Sequence, residues 1–479
     1  MTLRTCLPVF CLFLTAASSA QDAKPKRSIE ALHFVDSASA LPPEFASKAL
    51  FIIVRSKLIS DPEWKMELIE SAFQAAGQAQ LPYRNHLGRI ATDARISLEF
   101  ASNELEALTL QTQAVEAMLP LDPARALRMY EDIPVPQIQP RTCQDPNTPD
   151  VSLYFKTAIK LFGAAFTEKQ RKEEEHVRFL ENRITSVRSP AQVEPAIQML
   201  LTTRLTESQR SYLASKLAAV LDAVSGDDRT YGITESVFVP EDLSDRSATI
   251  VLVPALRSYI RRQLSGPRCH DNIPAAGKLP SSAEAFNRLA IKIDKEGASF
   301  LPLNLNEVQP SKDEGTIKQQ FPWKSTRSKA MLSALKWLNH GNRPGKDSMR
   351  FWTAAERDTE EWYSHYLETL KLLEGWQETE EESPQDYIFM VSQTYSILAK
   401  LVIGQDKRDH AMESYLRFIE QRYDAAGSRN FWFTNVRMML DLAASTKETD
   451  KTERSWLLLH FRRSANPIIA LYAELERDL

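Results

Sequence analysis

Glu361, His365 and Glu368 are the residues whose spacing in this chain comes closest to a chemical site. Steps of four and three put two carboxylates and an imidazole on one helix face, where they could ligate a metal or exchange protons. The other histidines are His33, His86, His176, His270, His340, His410 and His460, and no HExxH, His-x-His or paired CxxC accompanies them. The run Glu173-Glu174-Glu175-His176 does not improve on this cluster, because four consecutive residues on one helical turn point in different directions. Both groups are expected to be solvated helix surface, holding no metal and no cofactor.

Nucleophile patterns are thin as well. Ser333 and Lys336 form an S-x-x-K without the KTG or SDN companion of a hydrolase site, and no GxSxG occurs. Gly341 and Gly345 enclose three residues where a phosphate loop needs four, and no Ser or Thr follows Lys346. That segment is expected to be a turn. An acid and a base would have to come from 63 carboxylates with nothing to single out a pair.

Cysteine chemistry depends on the N-terminus. Arg4, the apolar stretch Leu7 to Leu14 and then Ser18-Ser19-Ala20 follow the pattern of a secretory signal peptide over residues 1–20. The stretch is shorter than the roughly 20 residues that span a bilayer, and Pro8 interrupts it. The expectation is cleavage after Ala20, export to the periplasm or the medium, and no transmembrane segment in the mature chain. Cys143 and Cys269 are then the remaining cysteines, each shortly after an arginine and before an aspartate. A bond between them would close a long loop, worth about 5 kcal/mol in the chain-entropy account. Two free thiols, or a thiol activated by Arg268 and His270, stay open beside the expected disulfide.

Aromatic residues are unevenly spread. Trp323, Trp337, Trp352, Trp362, Trp376, Trp432 and Trp456 follow residue 320, with only Trp64 before it. Such rings either pack between helices or line a groove for peptide or glycan. Trp352, Trp362 and Tyr363, flanked by Glu356, Asp358, Glu360 and Glu361, mark the candidate binding surface.

The elements that must position these residues read as helices. Glycine contributes 14 of 479 residues. That is well under the average of about 7%, and hairpins depend on glycine where helices avoid it. Leu105, Leu108, Val115 and Leu119 form one helical stripe, with Thr112 filling it. Asp61-Pro62 and Asp122-Pro123 each supply an N-cap followed by proline in the first turn. Helices are expected near 42–58, 62–79, 88–101, 103–119, 122–132, 150–165, 168–187, 190–202 and 206–223. A second series is expected near 247–264, 281–295, 325–340, 348–378, 384–403, 406–424, 428–445, 452–463 and 466–477. Ser236 to Val239 is the one strand-like run.

The fold class is therefore all-α: antiparallel helical pairs stacked as an irregular α-solenoid or as two helical blocks. A flexible lead-in is expected over 21–40, an N-terminal block over 41–224, a loop-rich connector over 225–322 and a C-terminal block over 323–479. Ala126-x-x-x-Tyr130-x-x-Ile133, Ala158-x-x-x-Phe162-x-x-Ala165 and Ala411-x-x-x-Tyr415-x-x-Phe418 resemble the second-helix half of a tetratricopeptide repeat. The first-helix signature is missing from all three. The resemblance implies helical-pair packing and no particular ligand. By its overall style the chain also resembles exported helical proteins of unknown function.

A net charge of −4 gives no basic footprint for nucleic acid. Two functions stay open: an exported, non-catalytic helical-repeat scaffold for a protein or peptide partner in the cell envelope, and an envelope hydrolase or lyase acting on glycan or peptide. The first is the expectation.

Overall fold

The structure is a computed structural model. It describes residues 27–81, 83, 85–86, 105–140, 148–225, 246–265, 278–294, 300–308, 325–341, 351–380, 384–424, 429–444 and 451–478. The candidate signal peptide, Cys143 and Cys269, the helix expected at 88–101, the strand-like run at 236–239, Trp323 and Lys346 all lie outside the described residues.

The fold is all-α. Helices α1 (Ile29–Ser39), α2 (Pro43–Arg55), α3 (Pro62–Gly77), α4 (Ala107–Met118) and α5 (Pro123–Glu131) open the chain. They are followed by α6 (Ser152–Ala164), α7 (Glu168–Lys172), α8 (Glu175–Thr185), α9 (Pro190–Thr202) and α10 (Glu207–Ala223). Next come α11 (Arg246–Ser265), α12 (Ser281–Asp294), α13 (Thr326–His340), α14 (Ala354–Arg357) and α15 (Glu360–Glu374). The chain closes with α16 (Pro384–Leu401), α17 (Gln405–Glu420), α18 (Arg429–Ala444), α19 (Lys451–Phe461) and α20 (Pro467–Asp478). The extended structure among the described residues is a two-residue antiparallel pairing of β1 (Asn85–His86) with β2 (Thr148–Pro149).

Local chemistry starts these helices where the sequence says it should. Asp61 accepts from the Glu63 amide at 3.0 Å ahead of Pro62, and Asp122 accepts from the Arg125 amide at 2.9 Å ahead of Pro123. Such a cap stabilises a helix by about 1 kcal/mol. In α4, Leu108 and Val115 are buried, and so is Thr112, whose hydroxyl donates to the Leu108 carbonyl at 2.8 Å. That bond lets a polar residue sit on an apolar stripe without an unmet hydroxyl. The small and aromatic residues of the repeat-like runs are core: Ala126, Tyr130, Ala158, Phe162, Ala411 and Tyr415 are all buried.

Two expected long helices are broken. The one over 168–187 divides into α7 and α8 at Glu174, which takes a left-handed conformation (φ 56°). The one over 348–378 divides into α14 and α15, and Thr359 restarts the helix by accepting from the Trp362 amide at 3.3 Å.

Packing runs mostly between helices close in sequence: α1 on α2, α2 on α3, α3 on α4, α4 on α5 and α6, α6 on α9, α8 on α10, α9 on α10, α10 on α11 and α11 on α12. A second run links α13, α15, α16, α17, α18, α19 and α20. The first and last described helices then meet, since α1 and α2 both pack on α20. The lead-in expected over 21–40 therefore becomes helix over its second half. Ala31, Phe34 and Ala38 are buried there, which supplies the apolar contact that a mobile segment would lack.

Candidate functional site

Helices α13 and α15 lie side by side and carry the aromatic residues of the C-terminal half. Ser325 caps α13 by accepting from the Ser328 amide at 3.0 Å, and the helix ends at Gly341 with φ +70°. The chain returns so that the Trp352 amide donates to the Asn339 carbonyl at 3.0 Å, while the Trp352 indole N–H donates to the Trp337 carbonyl at 2.9 Å. Trp352 therefore lies tilted against Trp337, ring centroids 5.8 Å apart. Trp337 also meets the His365 imidazole, ring centroids 3.8 Å apart, and His340 meets Phe351 at 4.5 Å. Phe351 is 66% exposed, an uncommon state for a phenylalanine with ring neighbours.

The candidate surface named from sequence is divided by the structure. Trp352 belongs to the aromatic face. Trp362 does not: it is 2% exposed, its indole N–H donates to the Leu338 carbonyl at 3.1 Å, and its ring stacks on Tyr366 at 5.7 Å. It is a core residue joining α15 to α13. Tyr363 is half-buried, with the Lys407 ammonium 3.7 Å from its ring centroid. Trp64, Trp376 and Trp432 are also buried, whereas Trp456 is 43% exposed and stacks on His460.

The carboxylates around this face have other partners or open into water. The Glu356 carboxylate accepts from the Thr353 amide and hydroxyl at 2.7 and 2.8 Å, which starts α14. Glu361 is exposed. His365 reaches Glu368 at 3.5 Å, with Glu368 67% exposed. Among the described residues no group of three His, Cys, Asp or Glu side chains is placed to hold a metal. Burial raises the Tyr366 hydroxyl far above its ordinary pKa and keeps it neutral. Ser333 donates to the Lys329 carbonyl at 2.9 Å within its own helix, and Lys336 is exposed.

The acidic run at 173–176 needs a correction. Glu173 and Glu174 are exposed as expected, but His176 is 6% exposed and lies between Phe162 at 5.0 Å and Phe166 at 6.2 Å. His176 lies on the same face of α8 as the buried Leu180 and Ile184, four and eight residues on. Trp337, His340 and Phe351, which complete the aromatic face, carry no local mark of exposure; their meeting requires the turn at Gly341 and the packing of α13 on α15.

This face can stack on apolar or planar groups and can offer imidazole hydrogen bonds. No protein-family model matches the chain, and comparison with curated proteins finds no relative.

Proposed function

We propose that the chain is an exported, non-catalytic helical scaffold that holds a protein or peptide partner against the face built by Trp337, His340, Phe351, Trp352 and His365. The observation that carries this reading is the exposed Phe351 ring set beside half-buried rings in tilted contact. Covering one phenylalanine ring is worth about 1.5–3 kcal/mol, and rings already fixed by their neighbours lose little entropy on binding. Helices that pack on neighbours in sequence support reading the chain as a stacked array of helical pairs, and the repeat-like runs at Ala126, Ala158 and Ala411 supply its seams.

The test is cross-linking in the intact envelope followed by identification of what is joined to the chain. Phe351→Ala and Trp337→Ala should lose the partner that the parent chain captures, while both variants fold. Unchanged capture by both overturns the reading. Fractionation of the same cells tests export, and a chain that keeps residues 1–20 and stays in the cytoplasm refutes it.

A further inference from the structure

We propose that Arg183, held on a platform of aromatic rings between α5, α6 and α8, is a recognition site for a carboxylate presented by a peptide. This rests on the partner reading above but concerns a different part of the molecule. The Arg183 guanidinium carbon lies 5.1 Å from the Tyr130 ring centroid, 5.8 Å from Tyr154 and 4.9 Å from Phe179. Three ring faces hold a cation electrostatically and fix the plane of its fork. They do not use its N–H donors.

Comparison with the other arginines makes the point. Arg27, Arg171, Arg422 and Arg429 also lie over rings. Arg27 pairs with Glu67 at 2.6 Å, Arg422 with Glu378 at 3.4 Å and Arg429 with Glu44 at 3.0 Å. Arg171 donates to the Phe162 and Gly163 carbonyls at 2.8 and 2.9 Å. Arg357 and Arg422 share with Arg183 a buried Nε without an acceptor. Their terminal nitrogens nevertheless reach the Leu401 carbonyl and the Glu378 carboxylate. Arg183 has no carboxylate and no carbonyl acceptor among the described residues; its oxygen neighbour is the Tyr130 hydroxyl, which itself donates to the Tyr154 carbonyl.

Among the described residues no carboxylate forms an ion pair with Arg183. Glu181 on the same helix is paired with Lys216 at 2.7 Å, and Glu116 with Lys160 at 2.6 Å. The Tyr154 hydroxyl, in a side chain 1% exposed, lies beside the Tyr130 hydroxyl in the same cluster. A half-buried fork of N–H donors, oriented by rings and meeting a neutral hydroxyl but no carboxylate or carbonyl among the described residues, is complementary to a planar oxyanion, and carboxylate meets it with two parallel hydrogen bonds.

Phenylglyoxal labelling of the full chain, read at Arg183 by peptide mass spectrometry, tests this. Four additions are compared: N-acetyl-trialanine with a free C-terminal carboxylate, its C-terminal amide, the same amide with a central glutamate, and inorganic phosphate. At least one carboxylate peptide should lower labelling of Arg183 about tenfold at about ten times its half-protecting concentration. The neutral amide should not, and labelling of the exposed Arg178 should stay constant. Whether the C-terminal acid or the glutamate protects tells which carboxylate the site takes. Equal labelling under all additions, protection by the neutral amide, or protection by phosphate alone overturns the proposal. Protection should persist in Phe351→Ala, so loss of the aromatic-face reading and loss of this one are separately visible.

Discussion

Glu44 and Arg429 are joined by an ion pair of 3.0 Å across 385 positions of the chain. The carboxylate is buried, its side chain 4% exposed, while the arginine is 51% exposed. Beside them the Tyr472 hydroxyl donates to the Phe45 carbonyl at 3.1 Å, and the Phe45 ring lies 5.2 Å from Phe433. This is how the second helix is fastened to the C-terminal helices. Removing one partner of a fully buried pair costs about 3–5 kcal/mol; with the guanidinium half in water the figure here falls to about 1–3 kcal/mol. Arg429→Met should therefore destabilise by that amount in urea unfolding. Combined with Glu44→Gln, it should show a coupling of at least about 0.5 kcal/mol in a double-mutant cycle. Additive single effects would mean that the pair does not fasten the two ends.

Trp362 and Phe351 should behave oppositely when truncated. Trp362 is enclosed and hydrogen-bonded, so Trp362→Ala opens a cavity and strands the Leu338 carbonyl, at about 3–5 kcal/mol. Phe351 is 66% exposed, and Phe351→Ala should stay within about 0.5 kcal/mol of the parent. Thermal melts of the two variants decide it. A stable Trp362→Ala would place that ring at the surface after all.

His176 should give the fold a pH dependence on the acid side. Burial, and then the Arg171 charge, lower its pKa from the ordinary 6.5, with Glu174 acting in the other direction. The neutral ring is thus favoured in the folded state, and the unfolded chain binds the proton more readily. Its contribution to stability is complete above 6.5 and is lost as pH falls below that value through the lowered folded pKa. His176→Phe keeps the contacts to Phe162 and Phe166 and removes the titration. The melting temperature of the variant relative to the parent should therefore rise between about pH 7.5 and about pH 5. A constant difference over that range would exclude His176 as the cause.

What was legible in the sequence was local. Asp61-Pro62 and Asp122-Pro123 announce helix starts because a cap and its amide lie within three residues of each other. Glu174 has no sequence mark: nothing in a Glu-rich run signals a left-handed residue, and nothing there signals that His176 packs with Phe162 and Phe166. Trp352 and Trp362 read alike in sequence, yet one lies at a half-exposed turn and the other under α13, a difference that only tertiary packing creates. Glu44 and Arg429 lie on separate amphipathic helices, and no periodicity relates residues so far apart. Arg183 carries no sequence mark for the same reason, since its rings come from three helices.

Gly341 controls the aromatic face from the backbone. Its φ of +70° with ψ of 178° lies in a region that is essentially glycine's alone. A Cβ added there would run into the Trp352 indole, which is held by its own hydrogen bond to the Trp337 carbonyl and cannot swing away freely. Gly341→Ala therefore combines backbone strain with overpacking, about 2–4 kcal/mol in all. The strain falls on the joint that sets Trp352 against Trp337. The variant should lower the melting temperature and, at temperatures where it is still folded, shift tryptophan emission and weaken partner capture, because the indole must leave its place. Phe351→Ala should weaken capture without the loss of stability, so the pair of variants separates the turn from the surface it builds. A Gly341→Ala chain with the parent's melting temperature and emission would show that the turn is free to rearrange and that the aromatic face does not depend on it.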